Sequence, residues 1–384
     1  MALGRWAFAP VLVALLVVAA ACSHSGSGSA LLIKVALEAP ITGPQSSNGV
    51  DMLRGARLAV QEANAKGGVL GRKIDLIPAD DRADPAHGKQ VADQMVGAKV
   101  FAIIGPYNSG VGVENLLIYV KAGVIPIHLT SNSDTNGEGF TVQPKDYQIA
   151  PIEAKAILDL YRARRVAIVY DPSTYTAGIA AQVRAALQQA GVTVLAYEKV
   201  DPAIHSYLDQ MKKIKSMGPD LFYASTYYPE GAVLAKEIQQ IQMHATCFMG
   251  LANQDPGFIA EAGLTAAKGC VSSGVPSADL FPGAARYVSD YRAQFHTDPG
   301  TWGSFTYDSV NFLLDAVRRA GSWDATRVRP ALAGTKDYMG ITGSIAIDPK
   351  TGNRVSVPVV LLDVNDAGRY AIDRKWAAFA GFSI

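Results

Sequence analysis

The feature that most constrains this chain is an alternation of short, almost wholly apolar runs with longer amphipathic stretches, and the chain goes through it twice. Leu31 to Leu37 reads as a strand, and Gly49 to Lys66 as a helix with Leu53, Ala56, Val60 and Ala63 along one stripe. Lys73 to Ala79 is the next strand. Asp84-Pro85 then reads as an N-cap followed by proline at the first helical position, with Val91, Met95 and Val96 as that helix's buried face. Val100 to Ile104 is a strand, Val111 to Ala122 a helix, and Val124 to Leu129 a strand. Strands that are apolar on both faces and alternate with helices build an open parallel sheet covered on both sides.

A polar loop at Thr130 to Gly139 and a short extended piece at Phe140 to Gln143 precede the second round. Its strands are Val166 to Tyr170, Val192 to Tyr197, Leu221 to Ala224, Thr246 to Met249 and Cys270 to Ser273. Its helices are Thr176 to Ala190, Leu208 to Met217 and Gly231 to Ile241. Helices at Ala284 to Phe295 and Tyr307 to Ala320 follow, then strands at Ile345 to Ile347 and Val357 to Val364. The 384 residues suffice for two domains at roughly 150 residues each. The fold class is therefore α/β: two similar lobes around mostly parallel sheets, with the chain crossing between them more than once.

The N-terminus reads as a targeting segment. Arg5 precedes an apolar run from Trp6 to Ala21, too short for a membrane span. The small residues Ala19-Ala20-Ala21 lead into Cys22, which looks like the lipidated cysteine of a lipoprotein signal, and Ser23 to Ser29 alternates Ser with Gly and His as a flexible tether. The expected location is the outer face of the cytoplasmic membrane or the periplasm, with the lipid as the only membrane attachment. In that oxidising compartment Cys247 and Cys270 read either as a disulfide or as two buried free thiols; both readings stand. With 35 basic against 34 acidic residues and no basic run, nucleic acid is not an expected partner.

In open α/β sheets, ligands bind beyond the carboxyl ends of the strands. Here those ends carry Tyr107-Asn108-Ser109, Thr130-Ser131-Asn132, Asp171 with Tyr175, Thr226-Tyr227-Tyr228-Pro229-Glu230, and Leu251-Ala252-Asn253. The strand at Val100 stops at Gly105-Pro106 and passes straight into a helix, whose free N–H groups and dipole suit a carboxylate. Ser109 there reads either as a helix cap, with Glu114 further along, or as a ligand hydroxyl. Hydroxyls, amides and phenols hydrogen-bond a small polar ligand without attacking it.

Catalysis finds little support. There is no Gly-x-Ser-x-Gly, His-Glu-x-x-His, phosphate loop or dinucleotide glycine motif. His128 lies in an apolar strand and reads as a core histidine. Asp80-Asp81, beside Arg82 and Asp84, reads as a solvated loop. Asp255-Pro256 and Asp308 precede helical runs and read as N-caps. With six dispersed His and no Cys-x-x-Cys, neither a metal nor a cofactor is expected.

The order of motifs resembles the leucine/isoleucine/valine-binding proteins, the extracytoplasmic substrate-binding components of branched-chain amino-acid ABC importers. The carriers are Pro40-Ile41-Thr42-Gly43-Pro44, the helix containing Gly55-Ala56, Ala63-Asn64-Ala65-Lys66-Gly67-Gly68, Asp80-Asp81 with Asp84-Pro85, Ile104-Gly105 with Ser109, Asp171 with Tyr175, and Tyr227-Tyr228-Pro229-Glu230. The resemblance runs from about Ile33 to the C-terminus. It implies the type I periplasmic-binding fold: two Rossmann-like lobes joined by a three-crossover hinge that closes over one ligand. The expected division is residues 1–21 as signal peptide and 22–30 as tether, with 31–143 plus 275–345 as lobe 1 and 144–274 plus 346–384 as lobe 2.

By the same resemblance, Ser109 and neighbouring N–H groups hold a carboxylate, with Tyr107 and Asn108 beside it. Thr130, Ser131 and Asn132 form a second contact segment, Tyr175 and Tyr227 close from the other lobe, and Trp302 walls the side pocket. The implied partners are a small polar ligand and an ABC permease with its ATPase subunits. Two departures bear on the ligand. Gly250-Leu251-Ala252-Asn253 holds no acid where the family has the carboxylate that receives the ammonium, leaving Asn253 as an amide acceptor. Asn48 stands where amino-acid binders often place an aromatic. The reading is thus a non-enzymatic binding protein for an amino acid or a related molecule. The alternatives are an amide, urea or organic-acid binder of the same fold, or a sensor ectodomain for a signalling partner.

Overall fold

The computed structural model describes residues 32–381, together with residues 1, 2 and 4. The signal segment to Ala21, the lipidation candidate Cys22 and the tether to Ser29 lie outside the described residues. No helix among the described residues is long and apolar enough to cross a membrane.

The first round of alternation builds β1 (Ile33–Ala39), α1 (Ser46–Ala65), β2 (Ile74–Asp80), α2 (Pro85–Gly97), β3 (Ala102–Ile104), α3 (Ser109–Lys121) and β4 (Ile125–Ile127). The strands form one parallel sheet in the order β2-β1-β3-β4. Local signals set the helix starts: Asp84 caps α2 by accepting from Ala86 N at 2.8 Å and His87 N at 3.2 Å, ahead of Pro85.

The second round begins with α4 (Asp146–Lys155), which runs into a π-helical turn at Ala156–Leu160. Next come β5 (Arg165–Tyr170), α5 (Thr174–Gln189), β6 (Thr193–Lys199), α6 (Leu208–Ser216), β7 (Leu221–Ser225), α7 (Tyr228–Gln240) and β8 (Thr246–Met249). The short helices α8 (Pro256–Ala262) and α9 (Leu264–Lys268) lead to β9 (Cys270–Gly274). The chain then returns to the first sheet through α10 (Ala285–Phe295), α11 (Thr301–Ala320) and α12 (Ala325–Ala333), with α11 packed along α1. A hairpin of β10 (Tyr338–Gly340) and β11 (Gly343–Ile345) follows. Finally β12 (Val360–Val364), β13 (Tyr370–Ile372) and α13 (Arg374–Ala380) rejoin the second sheet, whose order is β13-β12-β9-β8-β7-β5-β6. From β6 to β9 neighbouring strands are parallel; β12 is antiparallel to both neighbours.

The chain thus passes between the two sheets three times, after β4, after β9 and after β11. The fully buried Arg354 ties two of these passages together, donating to Val142 O at 3.1 Å, Thr342 O at 2.8 Å and Ser344 O at 2.8 Å. Asp308 is not an N-cap. It lies inside α11, which starts at Thr301 rather than Tyr307, and it accepts from Ile341 N and Thr342 N, both at 2.8 Å. Asp255 does cap, accepting from Gly257 N at 2.5 Å.

Asp81 is not solvated either. It is fully buried near Glu38, whose carboxylate accepts from Asn115 at 2.5 Å and Tyr119 at 2.8 Å. Burial pushes the Glu38 carboxyl up, with Asp81 adding to the rise, and pushes Asp81 up to about 7. Cys247 and Cys270 sit opposite each other in register on β8 and β9 and form a disulfide. The helix at α4 was not legible, because Pro151 interrupts its apolar pattern.

Candidate functional site

The carboxyl ends of β3 and β4 face those of β5, β7 and β8 across the gap between the sheets. β3 ends at Ile104 and is followed by Gly105, whose φ is +103°; a Cβ there would lie 2.0 Å from Glu38 O, so only glycine lets the chain turn this tightly beside β1. Four residues on, at Ser109, α3 begins. Its N-cap, Asn108, makes no side-chain cap; the amide instead donates to Gln45 Oε1 at 2.8 Å. The first-turn N–H groups of α3 are therefore left without a side-chain acceptor from the cap, with the positive end of the helix dipole behind them. Ser109 Oγ accepts from Asn132 N at 3.2 Å, which ties the loop after β4 to this helix start.

Around Ser109 lies a small cavity. Tyr107, Leu129, Ser131, Gln143 and Trp302 line it with Ser109 from one side; Tyr175, Tyr227 and Leu251 line it from the other. The gap is about 10 Å³, room for at most one water. Aromatic rings fill the rest. Tyr107 packs 5.5 Å from Trp302 and 6.2 Å from Tyr227, which lies 6.4 Å from Tyr175, centroid to centroid. Two hydrogen bonds span the closure: Asn132 Nδ2 donates to Thr174 O at 3.2 Å, and Tyr228 OH to Pro44 O at 2.5 Å.

Burial raises the Tyr107, Tyr175 and Tyr227 phenols, so all three stay neutral donors. Tyr175 OH and Gln143 Oε1 are buried with no partner among the described residues. A buried polar atom left unpaired is costly, and a ligand with complementary groups removes that cost.

Of the residues singled out in the sequence, Tyr107, Ser109, Ser131, Tyr175, Tyr227 and Trp302 line this cavity. Five do not. Asn108 faces a groove at the cleft mouth with Asp171, Thr174 and Glu230. Thr130 is held between His128 Nδ1 at 2.8 Å and Thr135 Oγ1 at 2.7 Å. Asn132 caps the short 3-10 turn after it through Asp134 N. Asn253 turns its amide inward, donating to Thr226 O at 2.9 Å and Gly250 O at 3.2 Å, and offers nothing to the cavity. Asn48 is buried in α1, outside the lining.

The loop carrying Thr130 and Asn132 is pinned by Lys145, whose Nζ donates to Asn132 O at 2.7 Å and Thr135 Oγ1 at 2.8 Å; burial pulls this ammonium down to about 7. His128 is buried and neutral, its Nε2 without a partner among the described residues.

Two lining residues were missed, Leu129 and Gln143, Leu251 was named only as part of a strand end, and a carboxyl nearby was missed as well. Glu153 of α4 is fully buried; it accepts from Tyr223 OH at 2.6 Å and from Ser273 Oγ. Burial pushes it up to about 7. Its charge also adds to the rise of the Tyr175 phenol.

A larger hollow of about 310 Å³ opens beside α1 and α11, lined by residues that include Asp51, Arg54, Asp255, Arg292, Asp298 and Arg369. Its polar groups answer one another. Asp51 accepts from Tyr291 OH at 2.8 Å and Gly300 N at 2.9 Å, and Arg292 pairs with Asp298 at 2.5 Å. The smaller cavity, with its uncapped helix start and unpaired polar atoms, is the candidate ligand site.

The sequence profile of the periplasmic binding protein family matches residues 32–369. The chain belongs to that family. This periplasmic binding protein is 30% identical over 330 residues to the Leu/Ile/Val-binding protein BraC3 of Rhizobium johnstonii, covering 84% of this chain and 89% of that one. Its fold is similar to that of the leucine-binding protein LivK of Thermotoga maritima, with a TM-score of 0.83 at 24% identity over 89% of this chain and 98% of the other. The Streptococcus pneumoniae branched-chain amino acid transporter substrate-binding protein LivJ, solved with isoleucine, gives 0.81 at 23% identity over 88% and 97%. The two-sheet α/β architecture is therefore that of a type I periplasmic binding protein, and the role it serves is ligand binding.

Proposed function

We propose that this chain is the substrate-binding lipoprotein of an ABC importer and captures a branched-chain or similar α-amino acid between its two sheets. The carrying observation is the uncapped start of α3, with Ser109 in a small cavity walled by Tyr107, Tyr175, Tyr227 and Trp302. A carboxylate at that helix start accepts the free N–H groups and the Ser109 hydroxyl. The aromatic walls suit an apolar side chain.

The lobes proposed are residues 31–143 with 275–345, and 144–274 with 346–384; they part to admit the ligand and close over it, since about 10 Å³ admits no amino acid. A permease with its ATPase subunits is the partner proposed to read the closed form. Lipidated Cys22 and the Ser/Gly tether would hold the protein at the outer face of the cytoplasmic membrane or in the periplasm. Nothing in the lining has the nucleophile-and-base arrangement of an enzyme.

A second reading, an organic acid without an ammonium, draws on one observation: no cavity-lining residue carries a carboxylate. Isothermal titration of the purified protein with leucine, isoleucine and valine tests the first reading. Saturable one-to-one binding of at least one of them is expected, and no heat from any of the three overturns it.

A further inference from the structure

The four parallel strands of the first sheet carry the cavity at their carboxyl ends, so their amino ends share the opposite edge. That edge gathers cations from segments far apart in the chain. Lys34 is the second residue of β1, and Lys73 directly precedes β2, its carbonyl accepting from Ile33 N at 2.8 Å. Lys66, Lys99 and Lys121 stand at the ends of α1, α2 and α3. Lys34 Nζ donates to Ala98 O at 3.2 Å, beside Lys99. The helix α12, which carries Arg327, is fastened to the same edge by Arg329, donating to Val124 O at 2.6 Å. The five lysines and Arg327 are exposed, and among the described residues none of the five lysines is in an ion pair. The nearest acids, Glu62, Asp75, Asp93 and Asp324, are fewer. Glu62 already accepts from Tyr307 OH at 3.0 Å, and Asp324 caps α12.

Helix C-termini favour cations, which accounts for Lys66, Lys99 and Lys121 one at a time. It does not account for Lys34 and Lys73 on the strands, nor for Arg327 in the first turn of α12, where the dipole disfavours a cation. Arg5 aside, the chain's basic and acidic residues balance at 34 each, so the excess belongs to this edge and not to the protein as a whole. Apolar side chains stand among the cations. Leu70, in the turn between Lys66 and Lys73, is 48% exposed at a φ of +51°, a region leucine seldom adopts, and Leu32 is 56% exposed. Ammonium groups with exposed leucines among them match the boundary between headgroups and acyl chains in a bilayer, which takes both. The chain also leads there. Leu32 is ten residues on from Cys22, a span of at most about 35 Å when fully extended.

We propose that this edge, with Lys34, Lys66, Lys73, Lys99, Lys121 and Leu70, is a docking surface for the anionic phospholipid headgroups of the membrane that holds the anchor. This rests on the lipoprotein reading above and deepens it: the lipid keeps the protein near the bilayer, and the basic edge decides which end lies on it. The cleft, at the other end of the same strands, stays clear of the bilayer, and the second lobe is the one that moves.

The experiment sediments the chain from Ser23 onward, made without lipid, with vesicles of phosphatidylcholine alone or mixed with phosphatidylglycerol. Binding at least tenfold tighter to the anionic vesicles is expected, and its loss at high salt, where screening shortens the reach of each charge. A lysine near an anionic surface contributes about fivefold in affinity. The joint variant Lys66→Gln, Lys73→Gln, Lys99→Gln and Lys121→Gln should therefore lose at least tenfold while its circular dichroism melt stays that of the wild type. The joint variant Lys199→Gln, Lys212→Gln, Lys213→Gln and Lys215→Gln removes as many charges from the other sheet's lobe and should bind as the wild type does. Equal binding to the two kinds of vesicle, or equal losses in the two variants, overturns the assignment. A wild type that binds heparin as tightly as the anionic vesicles overturns the choice of a lipid surface, since a soluble polyanion gains nothing from Leu70. The anchor is judged separately, by mass spectrometry of the protein taken from membranes. An unmodified Cys22 overturns the lipoprotein reading, whereas the vesicle result, obtained without lipid on the protein, decides the docking surface by itself.

Discussion

Gly55→Ala is expected to destabilise the protein even though it replaces glycine by a better helix former. Gly55 of α1 faces Gly303 of α11, and a Cβ built on Gly55 would lie 2.1 Å from Gly303 O and 2.8 Å from Gly303 C. Both atoms are backbone, so no side chain can swing away. The helices must part by about 1 Å to restore van der Waals separation. Alanine favours the helix by about 1 kcal/mol, whereas overpacking a tight contact costs about 1–3 kcal/mol. At 2.1 Å the upper end applies, leaving a net loss of about 1–2 kcal/mol and a melting temperature lower by a few degrees.

Trp302 directly precedes Gly303, so the cavity wall recedes with the helix and leucine affinity should fall as well. Urea unfolding followed by circular dichroism measures the first effect, and titration with leucine the second. Gly97→Ala is the control: it ends α2, a Cβ there meets nothing within 4 Å, and it should stabilise by a few tenths of a kcal/mol. A Gly55→Ala protein as stable as the wild type, or stabilised like the control, would refute the close-contact argument.

Ser109→Ala removes one charge-assisted hydrogen bond to a ligand carboxylate and should weaken leucine binding at least tenfold, while the Asn132 N–H left without its acceptor lowers stability by about 1 kcal/mol; unchanged affinity in titration removes Ser109 from the site. Tyr175→Phe deletes a buried hydroxyl with no partner, so stability should hold or rise slightly while leucine leaves about tenfold faster, and an unaltered off-rate in stopped flow counts against its role. Stability should also fall as pH rises from about 4 to 7. Asp81, Glu153, Glu230 and Asp255 are each pushed up to about 7, so in that window the folded chain holds protons that the unfolded chain releases. His128, buried neutral, works against one of these below its ordinary range, and Lys145, pulled down to about 7, adds stability only above pH 7. Urea midpoints at pH 5.5 and 8 check this, and a higher midpoint at pH 8 contradicts it.

The alternation of strands and helices, the cap at Asp84 and the helix start after Gly105 were legible because each is a local matter of periodicity, capping and turn chemistry. The same local signals located the strand ends, and with them Tyr107, Ser109, Ser131, Tyr175 and Tyr227. The family resemblance added Trp302. Local rules failed where a residue's partner lies far along the chain. Asp81 looked like a loop residue but is buried near Glu38, and Asp308 looked like a cap but serves Ile341 and Thr342 from mid-helix. Asn253 looked available and is bonded inward.

The sequence by itself therefore determined the elements, their order and the kind of chemistry at the strand ends, since those depend on neighbours within a turn or two. Only the tertiary structure decided which of these residues share a cavity and that Gln143 and Leu251 join them. Burial and pairing arise where two sheets meet, and that meeting depends on contacts between distant parts of the chain that no local pattern encodes.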